Sequence, residues 1–395
     1  MSLSTRLIVV ARRHLDGFRR ASRHVSTYNS ANDVEPIRKS VFISQSSDVF
    51  VNLALEHWLY RNYDFSKHHV LLLWRNDPCV VFGRHQNPWL ECNVQAAERE
   101  SIALARRNSG GGTVYHDKGN LNLTFFTPYE RYDRRYNLGI IANALFRQWS
   151  LKAEINKRDD IVIDGSYKIS GTAAKLGKPN AYHHCTLLVD VNKSNLSSIL
   201  ERKENDIITN ATTSTRSTIK NLSDINRNIQ MDKLLSAIGW EFMRTKALVL
   251  EDGIYDLRQQ KGFQYINPTE DWFPGIDNFV SEFRSWDWNF GKTPKFTVTR
   301  TLDVPAQDGK THRLNLSFEI LDGIVEEIRM SLPAGLVSTD FDQDASVISN
   351  LRGTRYSHEV TENIINEIGG KIVTSNTSQS VDENNVRRFD EATLQ

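Results

Sequence analysis

The sequence predicts an α+β protein of two folded domains, and three observations carry that prediction. Between about residues 41 and 285, short apolar runs at period two alternate with segments whose apolar residues recur at helical spacing. After Lys295 the pattern changes to three alternating strands followed by one helix. Within the first region, Arg106 to Leu123 reads as strand, glycine loop, strand, turn and strand, with Gly110, Gly111 and Gly112 forming the loop.

Residues 1–30 precede the folded part. Arg6, Arg12, Arg13, Arg19, Arg20 and Arg23 are balanced there by one acid, Asp16. Leu3, Leu7, Val10 and Leu15 can form the apolar side of an amphipathic helix, which is the composition of a mitochondrial transit peptide. The large folded domain spans 41–285. Asp48 caps a helix predicted over 49–61, with Phe50, Ala54 and Trp58 facing the core. Val70 to Trp74 and Cys79 to Phe82, joined by Asn76-Asp77-Pro78, read as a hairpin of the main sheet. Gly83 to Pro88 is a loop at a strand end, where Arg84 is either a ligand contact or a solvated charge.

Beyond the glycine loop, Leu138, Ile141, Leu145 and Trp149 mark a helix packed on the sheet. Ile161 to Ile163, the turn Asp164-Gly165-Ser166 and Tyr167 to Ser170 form a second hairpin, which projects Lys168 beside the small residues Gly171, Thr172, Ala173 and Ala174. Tyr182 to Val191 is a further strand. Its neighbours His183 and His184 must face opposite sides, which disfavours a two-histidine metal site and leaves one imidazole to face a ligand. Residues 203–218 are a polar loop in which Ser217, followed by Lys220 and Asn221, is a lid candidate. Helices over 231–249 and 275–283 complete the domain. The small C-terminal domain spans 295–372, with turns at Gln307-Asp308-Gly309 and Asp322-Gly323 and a helix over 359–368, and 375–395 is a polar tail.

The chain has 395 residues, 39% of them hydrophobic and 25% charged, which is ordinary globular composition. A net charge of +1 argues against nucleic acid or a membrane as a partner held by bulk charge. The three cysteines, Cys79, Cys92 and Cys185, fit a reducing compartment better than a disulfide framework.

The chemistry concentrates in two segments. A loop without Cβ atoms exposes bare N–H groups that attract phosphate or carboxylate, and Arg106 and Arg107 would strengthen that pull. A lysine ammonium can bridge an activated carboxyl oxygen and an α-phosphate, although on a bare hairpin it is more often a solvated charge.

Arg106-Arg107-Asn108-Ser109-Gly110-Gly111-Gly112-Thr113-Val114-Tyr115-His116-Asp117-Lys118-Gly119-Asn120-Leu121-Asn122 resembles the lipoate-binding signature of lipoate-protein ligases and lipoyltransferases. Further pieces resemble that family in the same order: Asn76-Asp77-Pro78, Gln86-Asn87-Pro88-Trp89, Arg158-Asp159-Asp160, Lys168 to Ala173, Tyr182 to Leu188 and Ser217 to Leu222. The likeness is strong over 41–295 and is similar above all to the mitochondrial lipoyltransferases. It implies a biotin- and lipoate-ligase-like large domain with a mixed sheet and flanking helices. It implies Lys168 as the catalytic residue. It also implies a lipoyl-adenylate site made by Arg107, Ser109, Gly110, Gly111, Gly112, Thr113, Val114, Tyr115, His116, Asn120, Asp160, Gly171, Thr172, Ala173, His184 and Thr186.

The activity implied by the resemblance is transfer of lipoyl from lipoyl-AMP to a lysine of apo lipoyl domains: the E2 subunits of 2-oxo acid dehydrogenases and the glycine-cleavage H protein. It implies a monomer of the mitochondrial matrix that holds no metal and uses Mg-ATP only if it is a complete ligase. Asp159 stands where bacterial ligases carry Asn; its charge would disfavour a triphosphate, or alternatively bind Mg²⁺. Rival readings are a thioester nucleophile at Cys185 and a lipoate-binding protein without activity.

Overall fold

The structure is a computed structural model that describes residues 37–201, 206–246, 262–305, 310–331, 344–346, 352–367 and 371–372. The leader 1–30, the turn at 307–309 and the tail 375–395 lie outside the described residues, as do positions 247–249 and 368 of two expected helices. The chain divides into two compact units, Met1–Phe296 with Leu321–Ile324, and Thr297–Ile320 with Val325–Gln395.

The first unit is built on strands β1 (Arg38–Ser44), β2 (His68–Trp74), β3 (Cys79–Phe82), β4 (Ala103–Arg106), β5 (Val114–His116), β6 (Asn120–Pro128), β7 (Glu154–Ile155), β8 (Ile161–Ile163), β9 (Tyr167–Ser170), β10 (Thr172–Leu176), β11 (Asn180–Leu188), β12 (Ile207–Thr209) and β13 (Gly262–Ile266). The main sheet runs β10-β11-β6-β2-β1-β13. Strand β1 is parallel to β2 and β13, whereas β2 with β6, β6 with β11 and β11 with β10 are antiparallel, so the sheet is mixed. Alternation divides its side chains between two cores. Leu71, Leu73, Leu123, Phe125 and Leu187 pack with Leu138, Ile141 and Leu145 of helix Arg134–Trp149 and with Leu234, Ile238 and Phe242 of helix Met231–Arg244. Leu72, Trp74, Phe126 and Tyr182 pack with Leu53, Ala54 and Leu59 of helix Val49–Asn62 and with Ile276 and Phe283 of helix Ile276–Arg284.

Two local expectations change. Asp48 does cap its helix, accepting from the Phe50 and Val51 N–H groups at 2.8 and 3.2 Å. The buried stripe, however, is Val49, Asn52, Leu53, Ala54, Leu55, Glu56 and Leu59, while Phe50 and Trp58 are only half-buried. Strands β2 and β3 do not pair as a hairpin. Asn76 between them is buried and receives the Asn52 amide at 2.9 Å, and β3 turns away to join β4 and β5 in a separate three-stranded sheet. A third small sheet, β7-β8-β9, carries the Lys168 hairpin, with Asp164 and Gly165 both at positive φ in its turn.

In the second unit, β14 (Phe296–Pro305), β15 (Thr311–Leu321) and β16 (Ile324–Ser331) run side by side, and a helix covers His358–Glu367. Leu314, Leu316, Phe318 and Ile320 alternate inward along β15. Asp322 and Gly323, at φ 50° and 72°, turn the chain between β15 and β16.

Candidate active site

The glycine loop lies between β4 and β5 of the small sheet and is shaped from beneath by two buried arginines. Arg106, fully buried, donates to the carbonyls of Gly83, Arg84, Gln86, Trp288 and Asn289 and to the Thr293 hydroxyl. Arg107 donates to the Ser109 hydroxyl at 3.0 Å, to Gly110 O at 2.6 Å, to Gly112 O at 2.7 Å and to Val81 O at 3.1 Å. Both arginines therefore spend most of their donors on carbonyls of the loop and its surroundings, a use that the sequence did not indicate. Glycine is required at two points. Gly111 has φ 87°, and a Cβ on Gly83 would lie 2.1 Å from the Gly111 carbonyl oxygen.

A polar relay supports the loop from the main sheet. Glu56 Oε1 accepts from the Thr124 hydroxyl and faces His184 Nδ1, both at 2.8 Å, and His184 Nε2 lies 2.8 Å from the Ser109 hydroxyl that Arg107 also holds. Burial alone would raise the Glu56 carboxyl, but the facing His184 and the hydrogen bonds from His184 and Thr124 outweigh it and hold the group below the usual range. Sequence reading missed Glu56. Its only local sign is a glutamate on the mostly apolar buried stripe of the helix.

Above this relay is a cavity of about 310 Å³. Of the expected residues, Arg107, Gly111, Gly112, Thr113, Val114, His116, Asp160, Lys168, Gly171, Thr172, Ala173, His184 and Thr186 line it. Tyr115 lines instead a neighbouring cavity that shares Thr113, Val114, Lys168, Gly171 and Thr186 with the first. Ser109, Gly110 and Asn120 line neither; the first two face Arg107, and Asn120 donates to Asn122 Oδ1 at 2.9 Å. Lining residues that sequence reading did not single out are Leu53, Trp74, Val81, Asn122, Arg134 and the segment Thr212–Thr215. That segment lies over the glycine loop, where Ser214 Oγ accepts from Thr113 N at 2.7 Å and donates to Glu91, and the expected lid residue Ser217 lines the neighbouring cavity, whereas Lys220 and Asn221 line neither. Lys220 pairs with Asp164, and the buried Asn221 side chain bridges Val191 N and O.

Lys168 stands at the junction of the two cavities. Strand β9 pairs with β8 on one side, and on the other Lys168 N donates to Thr218 O at 2.9 Å and its carbonyl accepts from Lys220 N at 3.1 Å. Its ammonium lies 2.8 Å from Asp160 Oδ1, with about a fifth of the side chain exposed. Arg134 and Arg158 line the same cavity, in which Asp160 is the one lining carboxylate, although Arg134 also pairs with Asp159 outside it. Asp159 lies within 3.5 Å of Arg134 and 3.1 Å of Arg135, which leaves little free charge to repel a triphosphate. Arg84 bonds Asn108 and lies over the Trp288 ring, outside both cavities.

The two histidines separate as alternation requires. His184 faces the cavity, whereas His183 is buried against Phe125 on the opposite face. Cys185, between His184 and Thr186, is also among the residues that line the cavity, but it is buried and packs in that opposite core, and burial pushes its thiol up to about 12, so it holds no thiolate for acyl transfer near neutral pH.

The mixed sheet therefore carries a glycine-walled cavity that both Lys168 and His184 line. The lipoyl protein ligase A/B catalytic domain family matches residues 48–243. The chain is 42% identical over 300 residues to the mouse lipoyl amidotransferase LIPT1, mitochondrial, covering 75% of this chain and 77% of the relative. It is 38% identical over 324 residues to the human lipoyl amidotransferase LIPT1, mitochondrial, covering 78% and 84%. It also resembles the crystal structure of P. falciparum LipL1 in complex with lipoate, with a TM-score of 0.53 and 27% identity over 74% of this chain and 84% of that one. The chain belongs to the lipoyl protein ligase A/B family and is an acyltransferase of that family.

Proposed function

We propose that this enzyme moves the lipoyl group of lipoyl-AMP to a lysine of apo lipoyl domains, namely those of E2 subunits and the glycine-cleavage H protein. The observation that carries this reading is the place of Lys168 where two cavities meet. An acyl chain in one and a nucleotide in the other put the mixed anhydride at its ammonium. The acceptor amine attacks the acyl carbon, an amide C–N bond forms, the anhydride C–O bond breaks and AMP departs with the electron pair. Charge that grows on the carbonyl and phosphate oxygens is met by the preorganised Lys168. The remaining proton of the attacking amine goes to solvent. No covalent enzyme intermediate is needed, and the Cys185 thiol, though its residue lines the cavity, is buried and pushed up to about 12.

Location in the mitochondrion is supported by the arginine-rich leader and by the naming of two relatives; the matrix and a monomeric state are our assignments. The test incubates the protein with lipoyl-AMP and an apo lipoyl domain and reads the mass of the acceptor. An unmodified acceptor would refute the proposal. One observation favours a second reading, activation of lipoate with Mg-ATP: Asp159 is paired by two arginines. Comparing lipoyl-AMP with lipoate plus Mg-ATP separates the two readings, and equal rates would establish a complete ligase.

A further inference from the structure

The floor of the cavity sets out a path across the sheet. A side chain on Gly171 would lie 3.6 Å from Lys168 Cε, and Gly171 exchanges hydrogen bonds with Thr186. Thr186 stands opposite Asn122, and Asn122 opposite Trp74. Gly171 and Asn122 are thus two inter-strand spacings apart, about 10 Å, which is comparable with an extended eight-carbon acyl chain. A chain whose carbonyl lies at Lys168 ends beside Asn122, Trp74 and His116, with Leu53 and Val81 also lining the cavity. The Trp74 and His116 ring centroids are 6.2 Å apart.

Two of the residues lining this end, His116 and Asn122, each carry a buried polar atom. His116 and Asn122 are each 3% exposed, and neither His116 Nε2 nor Asn122 Nδ2 has a hydrogen-bond partner among the described residues. The tautomer of His116 follows from its other nitrogen. Asn52 Nδ2 donates to Asn76 Oδ1 at 2.9 Å, which turns the Asn76 amide nitrogen towards His116 Nδ1 at 3.1 Å, so Nδ1 accepts. Burial, with Arg107 nearby, pushes the His116 pKa down to about 3, so the ring is neutral and Nε2 carries its proton. Asn122 Oδ1 already accepts from Asn120, which leaves its Nδ2 to donate. Both atoms are therefore donors, and a buried donor without an acceptor is unfavourable.

On the reading that the cavity takes lipoyl-AMP, we propose that His116 and Asn122 are specificity-determining residues that donate to the sulfurs of the dithiolane and favour lipoyl over a plain octanoyl chain. Divalent sulfur is a weak acceptor, and a methyl terminus is none. A plain chain leaves both donors dry; the ring gives them partners.

The experiment supplies an apo lipoyl domain with preformed lipoyl-AMP or octanoyl-AMP and measures kcat/KM for each by intact-mass spectrometry. The wild-type protein is expected to favour lipoyl on the order of tenfold, the discrimination of one buried hydrogen bond. Asn122→Leu and His116→Phe each move the ratio towards octanoyl, and His116→Gln, which keeps an N–H donor, recovers preference relative to His116→Phe. A wild-type ratio near one overturns the proposal, as does an unchanged ratio in variants that still transfer. The wild-type ratio needs no substitution, so variants that fail to fold leave the test decisive. Transfer of neither acyl group by the wild type overturns the proposed function, and this inference with it.

Discussion

Glu56 Oε1 lies 2.8 Å from His184 Nδ1, joining a buried carboxylate on a helix to an imidazole 128 positions later on strand β11. Through Ser109 the contact continues to Arg107 and the carbonyls of the glycine loop. Removing one partner of a buried pair destabilises by about 3–5 kcal/mol, because the other is left desolvated. Glu56→Ala is therefore expected to lower the melting temperature and raise KM for lipoyl-AMP, while Glu56→Gln, which keeps an acceptor for Nδ1–H, recovers most of both. Calorimetry and acceptor lipoylation measure the two effects; an alanine variant with wild-type values would remove the relay from the site.

Lys168→Ala is expected to abolish transfer and leave the fold intact. A charge 4 Å from a phosphate is worth roughly 4 kcal/mol at an effective dielectric near 20, and losing such a stabiliser lowers the rate on the order of 10²–10³-fold. The side chain is partly exposed, so its loss opens no core cavity, although the buried Asp160 loses its partner and some stability is lost with it. Circular dichroism should be unchanged. Transfer at the wild-type rate would eliminate Lys168 as the catalytic group.

Gly83→Ala tests the backbone contact beneath the loop. The added methyl would sit 2.1 Å from the Gly111 carbonyl oxygen, a backbone atom that cannot rotate away. The loop must shift, and with it the Gly112 carbonyl that Arg107 holds. Lower affinity for lipoyl-AMP at a modest loss of stability is expected, and calorimetric titration reads it; unaltered binding would mean that the loop tolerates displacement.

His183 gives a pH dependence of defined sign. It is fully buried, neither ring nitrogen has a partner among the described residues, and burial pushes its pKa well below the usual value. The unfolded chain then binds a proton that the folded chain refuses, so stability falls as pH drops below about 6.5, by up to about 1.4 kcal/mol per pH unit. His57, His69, His116 and His358 are also pushed down by burial and act in the same direction, so His183→Phe should remove one share of that dependence and leave transfer unchanged. Denaturant melts at pH 7 and pH 5 decide it: parallel losses in both proteins would place the acid sensitivity elsewhere.

Residues 1–40 fused to a fluorescent reporter are expected to enter mitochondria and lose about the first 30 residues. The motivation is six arginines against one acid in that leader. A diffuse cytosolic signal would contradict the assignment.

Short-range chemistry was legible in the sequence. The Asp48 cap, the left-handed Asp164-Gly165 turn, the strand–glycine loop–strand segment, the separation of His183 from His184 and the alternating strands after Lys295 each depend on residues a few positions apart, where φ preferences and side-chain period decide the outcome. The resemblance carried by Arg106 to Asn122 identified the family and most cavity-lining residues from the same local signal. Contacts distant in sequence were decided only by tertiary structure. Strand β3 left β2 because Asn76 was captured by Asn52; Arg106 and Arg107 turned inward because buried carbonyls needed their donors; Asp159 met Arg134 and Arg135. Glu56 and the far end of the cavity belong to this second group. A glutamate in a helix and an asparagine in a strand have no fixed partner until the sheet brings His184, Trp74 and His116 to them, because strand order and register are set by the whole core rather than by neighbouring residues.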